Sequence, residues 1–174
     1  MGLLNKIKKI FAICTYYIIR SIIPINPKVI IFESGVGRSY SGNPRAIYEE
    51  IIRHGVDKEY ILVWSLNELR IEISGSCKKV ARGSLKYAYY LATARYWIFD
   101  GRHPRYFVKR RGTTYLQTWH GTPLKKIGLD LDWVLMNRKD SLEAYKKAFL
   151  KNASQWDILL SQNSYSSKIF RKAF

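Results

Sequence analysis

The chain has few of the residues that mark several common protein classes. Only two of its 174 residues are cysteines, Cys14 and Cys77, and their spacing fits neither a redox pair nor a metal site. We therefore predict free thiols in a reducing compartment. No group of His, Cys, Asp or Glu has metal-ligand spacing, and neither the nucleophile motif G-x-S-x-G nor a Walker loop is present. We expect no metal ion and no cofactor.

Acidic residues are also scarce. Thirteen Asp and Glu stand against thirty Lys and Arg, which gives a formal net charge of +17. A surplus of this size indicates polyanionic partners, namely nucleic acid, an anionic membrane surface or a phosphate-rich substrate. We predict no nucleic-acid partner, because no recognition helix or base-stacking motif stands out. The hydrophobic content of 47% is sufficient for the core of one domain.

The start of the chain has no apolar run long enough to span a bilayer. The uncharged residues 10–19 fall short of the roughly 20 that a spanning helix needs. A signal peptide is disfavoured because no small-x-small cleavage site follows them. Apolar residues instead recur at steps of three and four, which predicts an amphipathic helix. The stripe comprises Leu3, Leu4, Ile7, Ile10, Phe11, Cys14, Ile18 and Ile22.

This helix has two interpretations. It lies in the membrane interface, where basic side chains meet anionic lipid, or it packs on its own domain. For the membrane interpretation, the contacting residues are Lys6, Lys8, Lys9, Phe11 and Arg20. Because prolines at 24 and 27 break the pattern, we divide the chain into a membrane-associating helix and linker, residues 1–27, and a domain, residues 28–174.

Beyond residue 27, short β-prone runs alternate with helical patterns. The runs predict strands at 28–33, 60–64, 78–81, 96–99, 113–119 and 157–160. Helices are predicted from Asn43, as N-cap, to residue 54, at 84–94, at 139–151 and from 164 onward. This alternation predicts an α/β fold, with a Rossmann-like, mostly parallel sheet and helices on both faces.

The most informative segment is residues 116–125, in which a β-prone run ends at His120. Ligands of open α/β sheets collect at the carboxyl ends of strands, where a histidine can move a proton near neutral pH. Gly121 allows a substrate to approach closely, and the following lysines favour an anionic product or leaving group. His120 is therefore the candidate general base. The alternative is a structural histidine at a strand end.

Two polar loops are candidates for phosphate binding. The loop with Gly35, Gly37 and Gly42 lies between a strand and a helix, but it does not match G-x-G-x-x-G, and a plain flexible turn explains it better than a dinucleotide site. The second loop, residues 100–111, is densely basic, and its alternative is a solvated loop. The candidate phosphate-binding or substrate-binding residues are Ser39, Tyr40, Ser41, Asn43, Arg45, Arg102, Arg105 and Lys125.

Residues 115–125, YLQTWHGTPLK, resemble the signature of the CDP-glycerol glycerophosphotransferases, the teichoic acid primases and polymerases. Supporting similarity covers residues 33–34, 40–48, 97–104 and 161–174. The resemblance implies the N-terminal domain of a glycosyltransferase-B-like fold. It also maps the family's N-terminal motif histidine onto His120.

The resemblance further implies a function. Such an enzyme transfers polyol phosphate, here glycerol phosphate first of all, from CDP-glycerol or CDP-ribitol to a lipid-linked polyol phosphate primer in cell-wall polymer synthesis. It is peripheral to the cytoplasmic face of the membrane. Family members continue into a second domain that holds the CDP-polyol, so we expect this chain to be an acceptor-side half without a donor site. The alternative is a non-catalytic basic module that binds an anionic membrane or a phosphate polymer.

Overall fold

The computed structural model describes residues 3–133 and 141–174, and in the first helix it describes side chains only for residue 7 and from residue 9 onward. Within these ranges the helices are α1 Leu3–Ile22, α2 Gly42–Arg53, α3 Leu85–Thr93, α4 Leu142–Ala153 and α5 Ser164–Ala173. The strands are β1 Asn26–Glu33, β2 Ile61–Leu66, β3 Lys78–Ala81, β4 Ala94–Phe99, β5 Thr114–Gln117 and β6 Ile158–Leu159.

The strands form one sheet in the order β3-β2-β1-β4-β5-β6, and every neighbouring pair is parallel. The predicted α/β fold with a parallel sheet is thus confirmed. The chain moves outward from β1 in one direction and then returns to start the other half at β4. Such a switch point leaves a crevice at the carboxyl ends of the two central strands, where doubly wound folds bind their ligands.

The core lies on both faces of the sheet because successive side chains of a strand point to opposite sides. On one face, Val29 and Ile31 of β1 pack with buried residues of α1 and α3. On the other face, Ile30 and Phe32 pack with Tyr48 of α2 and its neighbours. Helices therefore cover both faces, as the strand and helix pattern predicts.

Helix α1 packs against the domain by one side. Ala12 and Tyr16 are buried in the core, and the Tyr16 hydroxyl donates a hydrogen bond to the Val108 carbonyl. The Arg20 guanidinium donates to the same carbonyl, and the Lys9 ammonium lies 4.5 Å from the Tyr106 ring centre. These contacts fix the helix on the surface formed by α3 and the loop after β4.

The other side of α1 is exposed and carries the described part of the apolar stripe, whereas the side chains of Leu3 and Leu4 lie outside the described part of the structure. Phe11 is 63% exposed and Ile22 is 74% exposed, and Ile7, Ile10, Cys14 and Ile18 lie on the same side. The packed side agrees with the interpretation that the helix packs on its own domain, and the membrane interpretation stays a prediction for the exposed side. The side chains of Lys6 and Lys8 lie outside the described part of the structure. Among the described residues, no helix is long and apolar enough to cross a membrane.

Several predicted boundaries are corrected. Helix α2 begins after Ser41, so Asn43 lies inside its first turn and is not the N-cap. Strand β5 ends at Gln117 because Trp119 has a left-handed backbone, with φ of 56°, which turns the chain away from the sheet. Helix α4 starts later than predicted, after Ser141, whose hydroxyl accepts from the Ala144 N–H, and residues 139–140 lie outside the described ranges.

Candidate active site

His120 lies at the carboxyl-terminal edge of the sheet, directly after the turn at Trp119. Its ring stacks on the Trp119 indole, with 5.1 Å between ring centres. Its Nδ1 lies 3.0 Å from the main-chain oxygen of Asp100, which follows β4. Because a carbonyl oxygen only accepts hydrogen bonds, Nδ1 must carry the proton. In the neutral ring Nε2 then has a free lone pair, which is the arrangement of a general base.

Asp100 connects three strand ends. Its side chain is buried, and its two carboxylate oxygens lie 2.9 and 3.1 Å from the Gly35 nitrogen, so they accept the N–H of the loop after β1. Its main-chain oxygen holds His120, which follows β5. Since the Gly35 N–H already binds this internal carboxylate, it is not available to a substrate phosphate. The glycine loop therefore acts as a structural turn at this position.

Two amide side chains hold the segment that carries His120. Asn43 donates through Nδ2 to the carbonyls of Thr118 and Trp119, at 3.0 and 3.3 Å. The buried Gln117 donates through Nε2 to the Gly101 carbonyl at 3.1 Å and accepts the Trp119 N–H through Oε1 at 2.9 Å. Asn43, a candidate substrate ligand in the sequence, thus contacts the histidine loop and positions it.

A cavity of about 320 Å³ opens beside His120. Among the residues that the structure describes, the lining includes two cations, Arg102 and Lys126. The Arg102 guanidinium lies over the Phe149 ring at 4.9 Å and the Tyr145 ring at 5.8 Å, whereas Lys126 forms an ion pair with Asp132. The cavity is lined by Asp100, Gly101, Arg102, Gln117, Trp119, His120, Lys126, Ile127, Gly128, Leu131, Tyr145 and Phe149.

Most other predicted ligands lie elsewhere. The hydroxyls of Ser39 and Ser41 hydrogen-bond to each other at 2.8 Å. Arg45 forms an ion pair with Glu49 at 2.7 Å and lies over the Tyr40 ring, which packs against Trp64 in the core. None of these lines the cavity.

Arg105 and Lys125 are exposed and also lie outside the cavity lining. Of the predicted set, only His120 and Arg102 line it.

The sequence interpretation did not assign several residues that the structure brings to the cavity. Asp100 could have been found, because it directly follows a predicted strand next to the one that leads to His120. Lys126 follows the predicted Lys125. Tyr145 and Phe149 had no such signal, because they come from α4, which is remote in sequence. No group of His, Cys, Asp and Glu within the described ranges has a metal-binding arrangement.

Comparison with known proteins identifies the family. Residues 15–174 match the family described as CDP-Glycerol:Poly(glycerophosphate) glycerophosphotransferase. The chain belongs to this family. The resemblance seen in the residues around His120 is thereby confirmed, and the matched range includes every strand and His120.

Two relatives of this chain are much longer proteins. It is 46% identical over 155 residues to a teichoic acid poly(glycerol phosphate) polymerase of Bacillus spizizenii, covering 88% of this chain and 39% of the relative. It is 38% identical to a teichoic acid glycerol-phosphate transferase of Staphylococcus aureus, covering 98% of this chain and 43% of the relative. The chain thus spans about two fifths of these relatives.

A solved structure is also similar. A variant of the wall teichoic acid polymerase TagF, soaked with CDPG, superposes with a TM-score of 0.86 at 32% identity. The match covers 100% of this chain and 45% of that chain. This chain therefore has the same fold as a part of TagF that makes up less than half of the TagF chain.

Proposed function

We propose that this chain supplies the acceptor-side half of a glycerophosphotransferase, with His120 as the general base. The observation that carries the proposal is the hydrogen bond between His120 Nδ1 and the Asp100 carbonyl, at 3.0 Å. It leaves Nε2 as a proton acceptor beside the cavity, at the sheet edge where α/β folds bind ligands. The names of the relatives, which refer to glycerol phosphate, favour glycerol over ribitol as the polyol.

In the proposed reaction, a hydroxyl of the primer attacks the β-phosphorus of CDP-glycerol. A new O–P bond forms, the P–O bond between the two phosphates breaks, and CMP leaves with the electron pair. The hydroxyl proton passes to Nε2 of His120. Arg102, which lines the same cavity, can bind or stabilise negative charge near the reacting groups.

The proposed donor is CDP-glycerol, held by a part of the protein other than residues 1–174. The relatives that this chain matches extend well beyond the matched residues, which supports a division of labour between two halves. A transfer between two substrates needs both to be positioned together. We therefore expect residues 1–174 alone to bind CDP-glycerol weakly and to release no CMP, which calorimetric titration and a CMP-release assay would measure.

The proposed location is the membrane surface at its cytoplasmic face. The exposed side of α1 offers Ile10, Phe11 and Ile18 as an apolar stripe, and the net charge of the chain is +17. An apolar stripe in a basic protein favours insertion into the headgroup region of an anionic leaflet. This location would bring the cavity close to a lipid-linked polyol phosphate primer.

The test is a transfer assay on the protein that the complete reading frame encodes. Membrane-bound primer is supplied with labelled CDP-glycerol or CDP-ribitol, and polymer label and CMP are both measured. We expect primer-dependent transfer from CDP-glycerol and its loss in His120→Ala. Vesicle or polymer binding without turnover from either donor would favour the alternative, a non-catalytic basic module.

A further inference from the structure

The cavity beside His120 contains an arginine in an unusual setting. The Arg102 guanidinium lies 4.9 Å from the Phe149 ring centre and 5.8 Å from the Tyr145 ring centre. Within residues 3–133 and 141–174, it forms no ion pair with a carboxylate. Stacking on aromatic rings holds the guanidinium in place and leaves its N–H edge free for a bidentate anion.

The other nearby cation is committed elsewhere. Lys126 pairs with Asp132, and this partner holds the pKa of Lys126 above its usual value. The Gly35 N–H, which a phosphate could have used, binds the Asp100 carboxylate. Among the described groups, the Arg102 guanidinium is therefore the one best placed to receive an anion in this cavity.

The same stacking disfavours a neutral sugar. Protein sites often bind neutral rings through an exposed aromatic face, but here Arg102 lies over the faces of both Phe149 and Tyr145. A ligand that enters the cavity next to these rings meets a positive charge first. The cavity is thus suited to an anionic group.

We propose that Arg102 binds the terminal phosphodiester of the acceptor, and that the cavity selects a polyol phosphate end over a neutral one. The inference rests on the proposed function for the identity of the acceptor. The base must contact the attacking hydroxyl, so the molecule beside His120 is the acceptor. Since the donor is proposed to be held outside residues 1–174, we assign the phosphate bound by Arg102 to the acceptor. One guanidinium that forms no ion pair among the described residues matches the single charge of a phosphodiester.

Binding can be measured without any transfer, using residues 1–174. The probe is glycerophosphoglycerol, in which one phosphodiester joins two glycerols, and the neutral control is diglycerol. The indole signal of Trp119 and the ring signals of His120 report binding by NMR titration. We expect glycerophosphoglycerol to shift these signals, with weaker binding at high salt, and diglycerol to bind at least tenfold more weakly.

Variants test whether phosphodiester binding depends on the charge of Arg102. Arg102→Gln should weaken glycerophosphoglycerol binding roughly 10- to 100-fold, the range expected for a lost charge-assisted hydrogen bond. Arg102→Lys keeps the charge but loses the planar fork, so an intermediate loss is expected. Arg105→Gln is the matched control, because it removes an exposed arginine of the same loop that does not line the cavity.

Kinetics on the complete protein show which of the two substrates Arg102 binds. Arg102→Gln should raise the KM for the acceptor and leave the KM for CDP-glycerol unchanged. A raised donor KM alone would overturn the assignment to the acceptor. Equal binding of diglycerol and glycerophosphoglycerol, or equal losses in Arg102→Gln and Arg105→Gln, would overturn it at the binding stage. Loss of transfer with intact selective binding would instead count against the proposed reaction.

Discussion

The Nδ1 atom of His120 lies 3.0 Å from the main-chain oxygen of Asp100, twenty residues earlier in the chain. This bond joins the ends of β4 and β5, and it fixes both the orientation and the tautomer of the imidazole ring. A main-chain acceptor cannot be removed by a side-chain substitution. The histidine itself is therefore the position at which the chemistry can be tested.

Two substitutions of His120 separate its basicity from its hydrogen bond. His120→Asn retains an N–H donor for the Asp100 carbonyl but has no basic nitrogen, whereas His120→Ala loses both. We expect each to lower the transfer rate of the complete protein by about 100- to 10,000-fold, the usual range for a lost general base. Thermal unfolding should change less in His120→Asn than in His120→Ala. Near-normal turnover by either variant would show that another group takes the proton.

We expect Asn43 to hold residues 118–119, which lead directly to His120, in place. Asn43→Ala removes the two hydrogen bonds to the Thr118 and Trp119 carbonyls, and should lower the free energy of unfolding by about 1–2 kcal/mol. Asn43→Asp should cost more, because a carboxylate would face two carbonyl oxygens. Both should reduce transfer although Asn43 does not line the cavity, as urea unfolding and activity assays would establish.

Asn67→Ala is the control for Asn43. Asn67 is exposed and its Nδ2 makes a single hydrogen bond, to the Val36 carbonyl at 3.2 Å. We expect this variant to lose less stability and to keep its transfer activity. An equal effect of the two alanine substitutions would indicate that Asn43 has no special part in holding the loop.

The local pattern of the sequence predicted the order of helices and strands, because hydrophobic periodicity and turn residues are local properties. It also selected His120, since a polar residue directly after a buried run is visible in one segment. It could not predict the Asp100 contact with Gly35, which spans 65 residues, or the Asn43 contact with Thr118, which spans 75. A polar residue near a helix start suits an N-cap equally well, so only tertiary packing reveals the role of Asn43.

The exposed side of α1 can be tested by point substitution. Deletion of residues 1–23 should release the protein from anionic vesicles, but it also removes Ala12 and Tyr16 from the core. A sharper test is Phe11→Asp or Ile18→Asp, which places a negative charge on the apolar stripe. We expect weaker binding to anionic vesicles with little change in stability, and salt should weaken binding of the unchanged chain.

Leu69→Asp provides the comparison for the stripe, because Leu69 is an exposed apolar residue in a loop remote from α1 in sequence. It adds the same charge to the protein and should leave vesicle binding close to that of the unchanged chain. Vesicle binding that responds equally to all three substitutions would mean that net charge alone governs it. Salt-insensitive binding by all variants would argue against an electrostatic contribution.

The buried His103 should make stability depend on pH. Burial lowers the pKa of His103 to about 4, with the Arg82 charge acting in the same direction, against about 6.5 in an unfolded chain. Between these values only the unfolded state binds the proton, so stability should fall as pH drops from about 6.5 to 4, by up to about 3 kcal/mol. Burial also raises the pKa of Glu33, and the protonation of this carboxylate therefore adds stability to the folded state as pH falls.

The variant His103→Gln isolates the contribution of the histidine, because Glu33 is present in both proteins. Its amide can still donate to the Phe107 carbonyl, as the ring Nε2 does at 2.8 Å. Urea unfolding across pH 4–7 should give a flatter profile for His103→Gln, whereas His54→Gln, which leaves the buried ring in place, should retain the steep one. Parallel profiles for the unchanged chain and His103→Gln would show that this ring does not stay neutral in the folded protein.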